Sequence, residues 1–138
     1  MRKQRNNKGF SLVELIVVVL IMGILAVSLA PQVMKWVGKS KESADFQSAD
    51  GLKSTAQVAV AVFESQGGVL ADEEYNITSA GVVVAGGGAD ANAGMIALLE
   101  EYLYDTFPRV QADSSKVFQI QLMATGKKVV VTQVTGTY

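Results

Sequence analysis

Residues 8–30 read KGFSLVELIVVVLIMGILAVSLA, and the reading of this stretch decides the fold. Between Phe10 and Met34 the only formally charged side chain is Glu14. An apolar run of more than about 18 residues can cross the hydrocarbon core of a bilayer as a helix. A carboxylate inside such a segment costs roughly 2.5–3.5 kcal/mol on insertion scales, so Glu14 requires a partner or a task. Gly23 and Pro31 interrupt otherwise strong helix formers. An interior proline loses one hydrogen bond and clashes with the preceding turn, at about 3 kcal/mol. A helix break at Gly23 and Pro31, expressed as a kink in the monomer, is therefore expected. A membrane tolerates such breaks where neighbours satisfy the freed carbonyls.

Upstream, residues 1–9 are basic and polar, with Arg2, Lys3, Arg5 and Lys8. That pattern suits the leading region of an export signal and favours a cytoplasmic N-terminus. Lys35, Lys39 and Lys41 follow the apolar run and weaken the charge asymmetry. A secretory signal places a small-residue cleavage site after its apolar core. Here the small-then-bulky junction, Gly9 before Phe10, precedes the run. Cutting there removes the basic leader and keeps the apolar helix.

Composition narrows the function. The chain has 138 residues, with 12 basic and 13 acidic side chains. Without the first nine residues, eight basic residues face thirteen acids, a net charge of −5. A mildly acidic remainder argues against nucleic-acid binding, which neutralises phosphates. Cysteine and histidine are both absent. This excludes zinc sites built from them, and every nucleophile or base arrangement that uses either. The remaining carboxylates are scattered, and no nucleophile stands beside a base in a recognisable motif. No enzyme activity, cofactor, metal ligand or catalytic residue is expected.

Lys8-Gly9-Phe10-Ser11-Leu12-Val13-Glu14, followed at once by the apolar run, closely resembles the class III signal of type IV pilins and the related pseudopilins. The resemblance covers roughly residues 8–31; beyond that only the architecture is similar. It implies processing at Gly9 and Phe10: a prepilin peptidase cuts after Gly9 and methylates the new amino group of Phe10. It also implies that Glu14, fifth in the mature chain, is the family's assembly glutamate, pairing with the Phe10 amine of a neighbouring subunit. Pro31 and Gly23 continue the match, and the segment between them is implied to unwind partly in a filament. The implied product is a structural subunit of a type IV pilus-like filament, partnered by itself, the peptidase, a membrane platform and an assembly ATPase. The precursor would lie in the cytoplasmic membrane, N-terminus inside and C-terminus outside, in contact with lipid, and the assembled pilus would be extracellular. A pseudopilin of a secretion or DNA-uptake system shares these motifs. A pseudopilin calcium loop would need an acidic cluster near the C-terminus, and Asp113 is the last acid. A different class, a single-pass membrane-anchored binding protein that never polymerises, predicts a retained leader or a replaceable Glu14.

The electrostatics of Glu14 stand without the family. A free amine at Phe10 has a reference pKa of about 7.7–8.0 and is largely cationic at neutral pH. In low dielectric such a cation and a carboxylate attract strongly. Residues four apart share a helix face, so a contact within one chain is also open. So is a carboxylate that merely snorkels to the headgroups.

Downstream the pattern turns amphipathic from Lys35 to Gln66. Phe46, Ala49, Leu52, Ala56, Val60 and Phe63 recur at three- and four-residue steps, and Gly67-Gly68 ends the segment. Continuous from Phe10, this helix would be about 85 Å long. Its outer half must pack on the rest of the chain. Residues 75–85 read as one strand, Met95 to Phe107 as a short helix capped by Asp90 or Asn92 and closed by Pro108, and 117–134 as a hairpin turning at Ala124–Lys127. Tyr102 and Tyr104 read as a core residue and an exposed neighbour. Gly86-Gly87-Gly88 lacks the spacing of a phosphate loop, Asn76-Ile77-Thr78 matches a minimal glycosylation sequon, and Asp72-Glu73-Glu74 reads as a solvated face or helix cap. Helix first and strands later is an α+β order. The expected organisation is a leader at 1–9, a transmembrane and assembly half of the helix at 10–34, and a pilin-like head at 35–138.

Overall fold

A computed structural model of the chain describes residues 9–103 and 107–136. The elements run α1 (Leu12–Ser65), β1 (Glu73–Thr78), β2 (Gly81–Val84), α2 (Met95–Leu103), β3 (Lys116–Met123) and β4 (Lys128–Thr135). The strands form one antiparallel sheet in the order β2-β1-β3-β4. This is the α+β arrangement expected: a long first helix, a short second one and an antiparallel sheet. The chain divides into two compact units between Lys39 and Ser40.

In the second unit α1 buries Leu52, Ala56, Ala59, Val60 and Phe63. They share a core with Tyr75 and Ile77 of β1, Val82 of β2, Met95 and Leu99 of α2, and Phe118, Ile120 and Leu122 of β3. The alternation on β1 and the 3.6-residue period on α1 and α2 both deliver one apolar face to this centre. The expected stripe is wrong at one end. Phe46 is 78% exposed, whereas its neighbour Asp45 is only 2% exposed. The reason is angular: Asp45 stands seven residues, about two turns, before Leu52 and falls under it, while Phe46 lies about 100° further round.

The helix stops as its glycines demand. Gly67 takes φ +86°, Gly68 donates its N–H to the Phe63 carbonyl at 3.0 Å, and Gly67 donates to Glu64 at 3.0 Å. These are the two bonds of a Schellman cap, which satisfies carbonyls otherwise left unpaired at a helix end.

Residues 73–84 differ from expectation: they form a hairpin of two strands, not a single strand. Thr78 pairs with Gly81 across a Ser79-Ala80 turn. The Thr78 hydroxyl donates to the Gly81 carbonyl at 2.9 Å and accepts the Ala80 N–H at 3.3 Å. A side-chain oxygen thus does what an Asn-Gly dipeptide does in commoner hairpins. The hairpin of β3 and β4 pairs in register from Lys116↔Thr135 to Met123↔Lys128, as its alternation predicts. Helix α2 carries the expected stripe, with Met95, Leu99 and Leu103 buried and Leu98 and Tyr102 packed beside them. The expected end of that helix at Phe107, and Tyr104 with it, involve residues 104–106, outside the described residues.

Candidate functional site

Ser11 precedes the first residue of α1, and its carbonyl accepts the Leu15 N–H at 3.2 Å. Ser11 is therefore the N-cap and Glu14 the third helical position. The Glu14 carboxylate reaches back and accepts the Ser11 backbone N–H at 2.9 Å. This is half of a capping box, in which an acid at the third position satisfies an amide the helix leaves unpaired. The negative charge also lies at the positive end of the helix dipole. Serine followed three residues later by glutamate, ahead of an apolar run, was the available signal for this role. Besides the Phe10 amine and the headgroups, the Ser11 amide is thus a further partner for Glu14, one within its own chain.

Gly9 and Phe10 lie just before the helix, both exposed, Phe10 at 90%. A Cβ added to Gly9 would meet nothing within 4 Å. The fold does not require glycine there. Gly23 is equally unobstructed. The helix runs continuously through Gly23 and Pro31. Proline forfeits one helical bond, and the ladder on either side persists. Gly23 and Pro31 are placed well along the helix from Ser11 and Glu14, and do not join them.

Every residue from Gly9 to Glu42 is exposed. The most apolar window of the helix has a mean hydropathy of 2.9 and is 0% buried. A helix apolar on all sides requires lipid or other protein around it.

The polar residues of the second unit hold loops in place. The buried Asp45 carboxylate accepts the N–H groups of Gln111 and Ala112 at 2.6 and 2.9 Å. The acidic trio caps no helix; Asp72 and Glu74 are exposed, as on a solvated face, and Glu73 is half-buried. Asp72 accepts the Ala124 N–H at 2.6 Å, Glu73 accepts the Ala91 N–H, and Glu74 accepts the Gln121 amide at 3.0 Å. Tyr75 donates to Asp90 at 2.7 Å and accepts from the Asn92 amide at 3.1 Å. Burial pushes the Tyr75 phenol up, since it penalises the phenolate, and the adjoining Asp90 and Glu73 charges raise it further while the Asn92 bond opposes them. Of the two expected caps of α2, Asp90 reaches the Ile96 N–H at 3.5 Å, while Asn92 instead binds the Ala71 backbone at 2.6 Å. Asn76 of the sequon sits mid-strand and accepts from Gln119 at 3.0 Å, which is not the loop setting such acceptors favour. Among the described residues no group of three or more acidic side chains is arranged to hold a metal ion.

The prokaryotic N-terminal methylation motif matches residues 4–30. A fimbrial protein of Moraxella nonliquefaciens is 41% identical over 49 residues, which is 36% of this chain and 32% of that protein. The match thus spans about a third of the length of that curated relative. No solved structure matches. The matched motif takes in the whole Lys8–Glu14 stretch and the apolar run that follows it. The motif and, among the described residues, the one helix long and apolar enough to cross a membrane coincide at the start of α1.

Proposed function

We propose that this chain is a structural subunit of a type IV pilus-like filament. It is inserted with its N-terminus inside, cut between Gly9 and Phe10 by a prepilin peptidase, and polymerised from the cytoplasmic membrane by a platform and an ATPase. The observation that carries this is the exposed, all-round apolar part of α1, residues 12–34, whose one acid stands at its first turn, inside the methylation motif. Lipid covers that helix before assembly, and neighbouring copies cover it afterwards.

Glu14 then has two successive tasks. In the single chain one carboxylate oxygen satisfies the Ser11 N–H. A carboxylate has about four acceptor sites, so it can hold that bond and receive a cationic amine as well. In the filament that amine is Phe10 of the adjoining subunit, which fixes register. Glycine at position 9 answers to the peptidase, because packing in the folded chain leaves that position open.

One substitution separates helix capping from charge pairing. Glutamine in a capping box keeps the bond to the N-cap amide, but Glu14→Gln has no charge to meet an amine. Fibre yield from sheared cells is expected to fall as sharply with Glu14→Gln as with Glu14→Ala, while membrane insertion of both persists. Normal fibres from Glu14→Gln would reduce Glu14 to a capping residue. Native subunits that still begin at Met1 would remove the processing step, and with it the filament reading.

A further inference from the structure

The processing and assembly steps proposed for Gly9, Phe10 and Glu14 give no task to the lysines beyond the apolar run. Lys35 and Lys39 stand one turn apart on one helix face, and Trp36, three residues before Lys39, stands beside them. All three are exposed, Trp36 at 75%. Neither lysine makes an ion pair with a carboxylate among the described residues. From Leu12 to Met34 the uninterrupted helix rises about 33 Å, against a hydrocarbon core of about 30 Å. A span seated on that core sets residues 35–39 at the headgroups of the leaflet away from the N-terminus. Tryptophan concentrates at that depth, with its ring in the acyl boundary and its N–H in water. Two unpaired ammonium groups there meet lipid phosphate.

We infer that Lys35, Trp36 and Lys39 form a docking belt for anionic phospholipid headgroups, which fixes the depth of the unassembled subunit. The inference rests on the membrane-spanning reading above and adds a lipid class and three residues to it. The phosphates supply the countercharge that no carboxylate among the described residues provides at Lys35 and Lys39. Leaving the bilayer for a filament then means giving up these contacts, so the belt opposes extraction of a subunit that has no neighbour to receive it.

Trp36 is the sole tryptophan of the sequence, so its fluorescence reports this site alone. The full chain is reconstituted into phosphatidylcholine vesicles containing phosphatidylglycerol, with bromine quenchers placed shallow or deep in either lipid. Contact quenching registers only lipids touching Trp36, so the cations at Arg2, Lys3, Arg5 and Lys8, across the bilayer, do not contribute. Shallow quenchers are expected to outperform deep ones. Brominated phosphatidylglycerol is expected to be favoured over phosphatidylcholine by about fivefold per lysine at low salt. The double variant Lys35→Gln/Lys39→Gln should lose that preference and keep the shallow depth. Deeper quenching, equal quenching by the two lipids in the unsubstituted chain, or a preference unchanged in the double variant would each overturn the belt. None of these measurements involves fibres, so the belt can fail while Glu14-dependent fibres still form. Absence of quenching by any lipid at any depth would remove the membrane span, and the filament reading with it.

Discussion

At the scale of single residues, the charges carry the most information. Glu14 is conspicuous in the sequence because nothing else in its segment is charged, and its partner Ser11 follows from the local spacing. Asp45 gave no such signal: an acid in an amphipathic helix reads as solvent-facing until the 107–115 loop is seen to bring two amides onto it. Asp45→Ala would strand both N–H groups, each costing about 1–3 kcal/mol, so a loss of about 3 kcal/mol is expected in denaturant unfolding. Asp45→Asn keeps one acceptor oxygen and should cost less. Gly9 makes the opposite case, since the surrounding space is open. Gly9→Leu is expected to leave the circular-dichroism spectrum and thermal midpoint unchanged while the full-length precursor accumulates in the membrane. A normally shortened product, read by mass spectrometry of the N-terminus, would refute the cleavage site.

Elements with a strong period were legible, and those decided by one side chain were not. The β3–β4 hairpin and the α2 stripe both appear where expected. The α1 stripe was legible from Leu52 onward, where small and apolar residues keep the 3.6 period, and misled at Phe46, where a three-residue step imitates it. The 73–84 hairpin was missed because Ser79-Ala80 has no turn signature and the Thr78 hydroxyl supplies the bond instead. Gly67, by contrast, announces the end of α1. Its φ of +86° suits glycine, and an added Cβ would touch nothing, so Gly67→Ala carries a conformational cost alone. That cost is expected to be about 1 kcal/mol, seen as a lower unfolding midpoint.

For the whole molecule, the head is held by apolar packing and by polar clasps between segments far apart in sequence. Tyr75 joins β1 to the 85–94 loop through Asp90 and Asn92. Its ordinary value is 10.0, and in the fold it is held higher. Above pH 10 the unfolded chain therefore releases the phenolic proton before the folded one does. The folded state then binds more protons, so stability falls as pH rises. The contribution is complete below about pH 10 and is lost progressively above it. Unfolding curves across that range should show this alkaline decline, and Tyr75→Phe should flatten it, at the cost of leaving Asp90 and Asn92 without the hydroxyl. An unchanged slope in Tyr75→Phe would place the decline elsewhere.

The sequence by itself determined what local pattern and composition control: the apolar helix and its lone acid, the glycine stop, the C-terminal hairpin, the α+β order and the absence of cysteine and histidine chemistry. Each follows from residues within a few turns of one another, where periodicity and backbone preference act directly. Tertiary structure alone decided which polar groups would pair across the fold, and that Asp45 would be buried. Asp45, the Asp72–Glu74 trio and Tyr75 find partners 15 to 67 residues away. A carboxylate tolerates burial only where folding brings it donors, and no short window of sequence records where those donors will come from.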